Sequence, residues 1–325
     1  MNQGSTVLIT GGTGMIGKAL TKALLEKDHN VIILTRNVQD TGDRMRDKES
    51  LIPYHTSRIQ YSTWNIEKQT IDADAIIKAD HIIHLAGAGV AEKRWTKKRK
   101  QEIVNSRVES GKLIAESLQT IPNNVKTIIC ASGIGWYGPD PVIPNKDPFE
   151  EDDTAAEDFL GQTCKLWEES VEPVTKLNKR LVKFRTGIVL SNEGGALVEF
   201  KKTLKFGIAA ILGSGRQIIS WIHIDDLVRL FIAAIENEKM TGAYNAVAPQ
   251  PVSNKEFTMQ LAKIKRGRFF IPIHVPSFLL KMILGEMSIE VLKSATVSCD
   301  KIHFEGFTFN YPSLEAALKQ LTQNT

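Results

Sequence analysis

Cysteine is nearly absent from this chain. Cys130, Cys164 and Cys299 are the three among 325 residues, far apart and with no C-x-x-C pair. An odd number at such spacing argues against a disulfide framework or a zinc site and for a reducing compartment. No His/Cys/Asp cluster has metal-ligand spacing. Long apolar runs are also missing, and none approaches the ~20 residues that a membrane-spanning helix requires. Neither sign of charge dominates: 41 Lys and Arg against 37 Asp and Glu leave a net charge of +4. That mild surplus suits an anionic small ligand but is no argument for nucleic acid without a concentrated basic face. There is no internal repeat and no low-complexity tract. The first strand-like run starts at Thr6, which leaves no room for a signal peptide, so a cytoplasmic protein is expected.

What remains is an ordinary globular composition, 42% hydrophobic and 24% charged, long enough for one or two intimately joined domains. Its most informative stretch is Thr6-Val7-Leu8-Ile9-Thr10-Gly11-Gly12-Thr13-Gly14-Met15-Ile16-Gly17. A short apolar strand runs into a glycine-rich turn, and a helical pattern follows from Lys18 to about Glu26. This order suits a dinucleotide diphosphate: backbone amides approach the phosphates, and the positive end of the helix faces the anion. In this reading Gly12 makes the tight turn, Gly14 admits the phosphate and Gly17 lets helix and strand pack.

Strands and helices then alternate. Val31–Leu34, His81–Leu85, Val125–Ala131 and Leu181–Val189 read as strands; Thr96–Leu118 and Ala155–Asn178 read as helices; residues 37–57 read as loop plus irregular helix. The alternation predicts an α/β fold with a doubly wound parallel sheet covered on both faces. After Leu190, glycine and proline punctuate shorter elements and suggest a smaller second lobe. Asp226–Asn237 and Ala243–Ala248 read as one more helix and strand returning to the sheet. The expected division is a nucleotide-binding domain of residues 1–189 plus about 218–248, and a substrate lobe of 190–217 and 249–325.

The end of the second strand selects the cofactor. An acid there holds a ribose 2′-OH, whereas cations suit a 2′-phosphate. The chain reads Leu34-Thr35-Arg36-Asn37, with no acid at the tip. Arg36 is either the group that stacks on adenine and pairs with the phosphate or a solvated surface arginine. The first reading predicts NADP(H).

TGGTGMIG, the HLAG sequence at His84–Gly87 and SWIHIDDL at Ser220–Leu227 resemble an extended short-chain dehydrogenase/reductase. Lys93-Arg94-Trp95, Asn105-Ser106-Arg107, Phe159-Leu160 with Trp167-Glu168, and the C-terminal Gly306-Phe307 and Tyr311-Pro312 resemble, more narrowly, the atypical epimerase family proteins. The resemblance spans nearly the whole chain. It implies a Rossmann-type domain, an NADP-type cofactor bound by Gly11, Gly12, Thr13, Gly14, Met15, Ile16, Gly17, Thr35 and Arg36, and a C-terminal substrate lobe. It implies that Leu85, Ala86 and Gly87 line the adenosine side, that Asn65 meets the adenine amino group, and that the hydroxyl of Ser132 meets a substrate carbonyl. Ser132 is read equally well as a turn-forming serine before Gly133.

One feature of that superfamily is missing. Its enzymes use Tyr-x-x-x-Lys on one helix: the lysine holds the nicotinamide ribose and lowers the tyrosine pKa for proton exchange. None of Tyr54, Tyr61, Tyr137, Tyr244 and Tyr311 has a lysine four residues later. Lys165 is read as the ribose-binding lysine, with Gly161 where the tyrosine would be, so that a tyrosine placed at 161 would probe the pocket. Tyr137 is the nearest replacement acid by sequence. Cys164 reads as core by periodicity.

The Lys93–Lys100 run is either the solvated start of a helix or a segment whose Arg94 and Trp95 close over an anionic substrate. It lacks the interleaved aromatics of a nucleic-acid platform. Asn105 either holds a water near the site or lies on a helix surface; Arg216 is weighed as a phosphate contact, and His223 as a structural hydrogen-bonder before a helix capped by Asp225 or Asp226. Ser132 has no G-x-S-x-G context, which argues against hydrolase chemistry. Two functions stay open: an NADP-dependent oxidoreductase or epimerase-like enzyme acting on a small anionic substrate, and a non-catalytic NADP(H)-binding sensor or interaction protein. A homodimer through helices on the sheet face is the expected assembly by the same resemblance.

Overall fold

The structure is a computed structural model that describes residues 4–37 and 56–323; the loop expected over residues 37–57 lies mostly outside the described residues. Elements follow in chain order as β1 (Thr6–Thr10), α1 (Met15–Glu26), β2 (Asn30–Thr35), β3 (Ile59–Asn65), β4 (Thr70–Ile71), α2 (Ala73–Lys78), β5 (His81–His84), α3 (Lys97–Thr120), β6 (Thr127–Gly133), α4 (Phe159–Val171), β7 (Arg180–Thr186) and β8 (Ile188–Leu190). Then come α5 (Ala196–Leu204), β9 (Ile208–Leu212), β10 (Ile218–Ile219), β11 (Trp221–His223), α6 (Ile224–Glu236), β12 (Gly242–Ala246), β13 (Val252–Ser253), α7 (Asn254–Arg266), β14 (Ile271–Val275), α8 (Ser277–Leu284), α9 (Ser288–Leu292), α10 (Asp300–Phe304) and α11 (Leu314–Gln323).

The main sheet has eight strands in the order β12-β7-β6-β5-β1-β2-β3-β4. All its pairings are parallel except β3 with β4. Parallel strands need helical crossovers, so both faces are covered and the central strands are apolar throughout: Val7, Leu8, Ile9, Ile82, Ile83, Ile128 and Ile129 are fully or almost fully buried. The strand order reverses between β1 and β5, and there the carboxyl ends open a crevice.

Three expected elements end differently. The helix expected over Ala155–Asn178 is α-helical only to Val171; Pro173 opens a tighter turn over Glu172–Leu177, because proline lacks the amide an α-helix would use. The single strand expected over Leu181–Val189 breaks at Gly187, where a Cβ would lie 2.7 Å from the Ser220 carbonyl oxygen. β8 therefore leaves the main sheet and pairs with β11. Finally, α6 is capped by His223, whose Nδ1 accepts the Asp225 amide at 3.1 Å, rather than by either aspartate. Asp226 is fully buried and accepts the amides of Asn310 (2.8 Å) and Tyr311 (2.9 Å), which fastens the C-terminal segment onto α6.

A second apolar cluster gathers Leu197, Leu204, Trp221, Phe257, Leu261, Leu318 and Leu321 from α5, β11, α7 and α11. It lies apart from the core formed by the main sheet and its helices. β9 and β14 form a small parallel pair on that side.

Candidate cofactor and substrate site

The turn between β1 and α1 is shaped by two close approaches. Gly11 has φ +71°, a left-handed conformation that glycine adopts without strain, so the tight turn belongs to Gly11 and not to Gly12. At Gly17 a Cβ would lie 2.5 Å from Gly12 Cα, so only hydrogen fits where helix and turn cross. At Gly14 an added Cβ meets nothing but Gly11 O at 3.3 Å, which leaves the front of the turn open. Gly14 caps α1 without any side-chain bond, and the first amides of a helix have no carbonyl partner inside it. These orphan donors and the helix dipole make a cradle for phosphate oxygens.

Thr10, at the end of β1, ties this turn to β5. Its Oγ1 accepts the amides of Leu85 and Ala86, both at 3.2 Å, and lies 2.7 Å from His84 Nδ1. His84 Nε2 meets Ser110 Oγ of α3 at 3.3 Å. Burial pushes the His84 pKa down to about 3, so the ring is neutral and serves as a bracket. The following loop is pinned from α3: Ser106 Oγ accepts the Ala88 amide at 2.9 Å, and Arg107 Nη1 donates to the Ala88 carbonyl at 3.0 Å. The motifs quoted from the sequence contain His84, Ser106 and Arg107, but only the tertiary structure brings them to Thr10 and the 85–88 loop.

Arg36 stands exposed just beyond β2, with no acid beside it among the described residues. Asn65 ends β3, and its Oδ1 accepts the Lys68 amide at 2.9 Å in a turn, which leaves its amide nitrogen for other partners.

The other end of the crevice is different. Ser132 is buried and donates to Glu168 Oε1 at 2.8 Å. Glu168 is paired with Arg185, Nε to Oε1 at 2.9 Å and Nη2 to Oε2 at 3.2 Å. Arg185 also reaches Tyr137 Oη at 3.2 Å and lies 3.6 Å from the Trp136 ring centroid. Tyr137 is fully buried, donates to Asn245 Oδ1 at 2.6 Å, and has its pKa pushed up to about 12 by burial. It is therefore a strut of this network and reaches no open crevice, so the structure speaks against it as a replacement acid.

Lys165 needs a correction of one residue. It is exposed on α4, while Cys164 is buried. Neighbours on a helix point about 100° apart, so this one step changes faces. The inward face carries Leu160 and Cys164, which flank the end of β6: a Cβ at Gly135 would lie 3.0 Å from Leu160 Cβ and 3.7 Å from Cys164 Sγ. These i, i+4 positions share one face of α4, the spacing of a Tyr-x-x-x-Lys pair. Gly161 is unsuited to a tyrosine, because a Cβ there would lie 2.8 Å from the Ala156 carbonyl carbon. Burial pushes the Cys164 thiol up to about 11, so it is protonated at neutral pH.

The Arg94 guanidinium donates to the carbonyls of Met282 and Ile283 at the end of α8. Trp95 packs edge-on against Phe159, with ring centroids 4.8 Å apart. The segment thus bridges the sheet domain to the C-terminal elements, and its arginine is engaged by carbonyls. Lys293, almost fully buried, pairs with Glu290 at 2.9 Å and Asp158 at 3.3 Å beside the start of α4. Asn105 is exposed and bonded to Gln101, and Arg216 is exposed as well. No His/Cys/Asp/Glu group among the described residues could hold a metal, and none of their helices is long and apolar enough to cross a membrane.

Sequence comparison matches residues 7–162 to the NAD dependent epimerase/dehydratase family, and residues 275–321 to a C-terminal domain of unknown function, DUF1731. The epimerase family protein SSP1921 of Staphylococcus saprophyticus is 37% identical over 97% of this chain and 98% of its own length. The chain belongs to this epimerase family. The epimerase family protein YfhF of Bacillus subtilis is 34% identical over 97% of each chain. Among solved structures, human epimerase family protein SDR39U1 (isoform 2), crystallised with NADPH, superposes with a TM-score of 0.82 at 27% identity, covering 98% of this chain and 100% of that one. A UDP-glucuronic acid 4-epimerase of Bacillus cereus, at 20% identity and TM-score 0.77, shares the fold.

Proposed function

We propose that this epimerase family protein is an NADP(H)-binding oxidoreductase or epimerase-like enzyme for a small anionic substrate. The observation that carries the reading is the open turn of Gly11, Gly14 and Gly17 at the head of α1, with Arg36 unopposed by any acid among the described residues at the tip of β2. The human relative's crystallisation with NADPH supports the same cofactor. The amides of Met15, Ile16 and Gly17 would bind the diphosphate, Thr35 and Arg36 the 2′-phosphate, and Leu85, Ala86 and Gly87 the adenosine side, with Asn65 near the adenine. When bound, NADP(H) supplies or accepts a hydride at its nicotinamide ring.

Ser132 would orient a substrate hydroxyl rather than the carbonyl that the resemblance implied: its proton is engaged by Glu168, so its oxygen can only accept. Proton exchange then falls to water or to a C-terminal group such as the Lys293–Glu290–Asp158 cluster, since Leu160 and Cys164 occupy the inward face of α4. Exposed Lys93, Lys97 and Lys98 favour an anionic substrate. The three free, buried cysteines suit a reducing cytoplasm. The test is titration with NADPH and NADH followed by cofactor fluorescence. NADPH preference is expected; failure to bind either would end the reading, and NADH preference would remove Arg36 from it.

Leu160 and Cys164 favour a second reading, an NADP(H)-binding sensor without turnover. It predicts tight NADPH binding and no hydride transfer to any member of a broad carbonyl panel; turnover of one member decides for the enzyme.

A further inference from the structure

α3 carries two arginines against the 85–89 loop, and they differ in what neutralises them. Arg99 pairs with Glu92 at 3.1 Å and Glu102 at 2.9 Å. Arg107, two turns on, has no carboxylate partner among the described residues. One of its nitrogens is spent on structure: Nη1 donates to the carbonyls of Ala88 and Ile103, both at 3.0 Å. Its guanidinium carbon lies 4.9 Å from the Trp167 ring centroid and against Gly87, where a Cβ would be 2.9 Å away. Nε and Nη2 make no hydrogen bond, yet neither is among the atoms sealed from solvent. That free edge is the fork with which arginine grips two oxygens at once.

The charge that acts on Arg107 from nearby is of its own sign, from Arg99. Cys164 and Cys130, whose thiols feel this charge, are kept protonated by burial. The two carbonyls and the Trp167 ring offset part of the desolvation of this inward cation, but no carboxylate among the described residues balances its charge, and such unbalanced groups collect at ligand sites. The place also matches a loss: α4 presents a thiol at 164, where a lysine would have brought a positive charge to the end of β6. Arg107 brings one to the same crevice from the neighbouring helix.

We propose that Arg107 grips the nicotinamide-side ribose and phosphate of a bound NADP(H), as a positioning residue acting from α3 in place of a lysine on α4. The proposal rests on the cofactor reading above. It is tested by calorimetric titration of the full chain and its Arg107→Met and Arg107→Lys variants with two probes. NADPH carries both halves of the cofactor; adenosine 2′,5′-bisphosphate keeps the adenine, ribose and 2′-phosphate but lacks the nicotinamide side. Arg107→Met is expected to weaken NADPH about ten- to hundredfold, the range of one or two charge-assisted hydrogen bonds, and to leave the bisphosphate within about twofold. Arg107→Lys, which keeps the charge but not the fork, should fall between for NADPH and match the wild type for the bisphosphate. Should Arg107→Met not fold, that contrast in Arg107→Lys decides. Unchanged NADPH affinity, or equal loss for both probes, would make Arg107 a clamp of the Ala88 loop and overturn the proposal. If wild type binds neither probe, the cofactor reading itself fails and takes the proposal with it.

Discussion

At the β1–α1 end of the crevice some polar groups have no partner among the described residues: the first amides of α1, the Arg36 guanidinium and one edge of Arg107. At the β6–α4 end most are paired, with Ser132 on Glu168, Glu168 on Arg185, and Tyr137 on Asn245 and Arg185, although the buried Asn245 Nδ2 and Trp167 Nε1 have no partner among the described residues. Unsatisfied donors are costly unless a ligand or water meets them, and satisfied buried networks rigidify a fold. On the proposed reading the first end receives an anion, while the second holds three strands and a helix together.

The contrast can be broken most strongly at the closed end. Arg185→Leu takes the two-point partner from buried Glu168 and leaves it Ser132 and Lys183, the latter at 3.7 Å; it should destabilise the protein by about 3 kcal/mol, read as a drop in the denaturation midpoint. If the loss is below about 1 kcal/mol, the network is not what holds this end. Restoring the missing pair attacks the comparison from the other side. The double variant Leu160→Tyr with Cys164→Lys should raise reduction of a carbonyl panel by about a hundredfold or more over the parent, the scale of positioned acid–base catalysis; no gain would mean that these positions do not face the nicotinamide. At the open end, Arg36→Glu should weaken NADPH about ten- to hundredfold, the loss of a charge-assisted contact, and leave NADH little changed. Equal effects on both cofactors would remove the guanidinium from the 2′-phosphate.

The smallest effect concerns pH. Burial lowers His84 to about 3 and His81 to about 4 from an ordinary 6.5. The unfolded chain therefore takes up protons first, and stability contributed by the neutral rings is present above pH 6.5 and lost progressively as pH falls toward 4. Denaturation midpoints should hold between pH 7 and 8 and decline below 6.5, and His84→Gln should flatten the decline. An unchanged slope would show that His84 carries no proton-linked stability.

The phosphate turn, the parallel sheet and the absence of Tyr-x-x-x-Lys are legible in the sequence because each is a local pattern: a glycine spacing, a hydrophobic alternation, a missing pair. Assigning the glycines was harder, since Gly11 rather than Gly12 takes the left-handed conformation. Lys165 shows why the site is harder still. It lies one residue from the inward position, and on a helix one residue is a change of face. The signal that could have corrected it was available in the apolar series Leu160, Cys164, Trp167 and Val171, whose i, i+4, i+7, i+11 spacing marks the buried stripe.

The order of residues along the chain was enough to determine that a strand would meet a helix through a turn able to hold a diphosphate, because those contacts join neighbours. Which side chains gather around that turn was decided only by tertiary structure. Arg107, Thr10, His84 and Glu168 acquire their partners across β1, β5, α3 and α4, and such distant pairings are fixed by strand order and helix rotation, which no local pattern encodes.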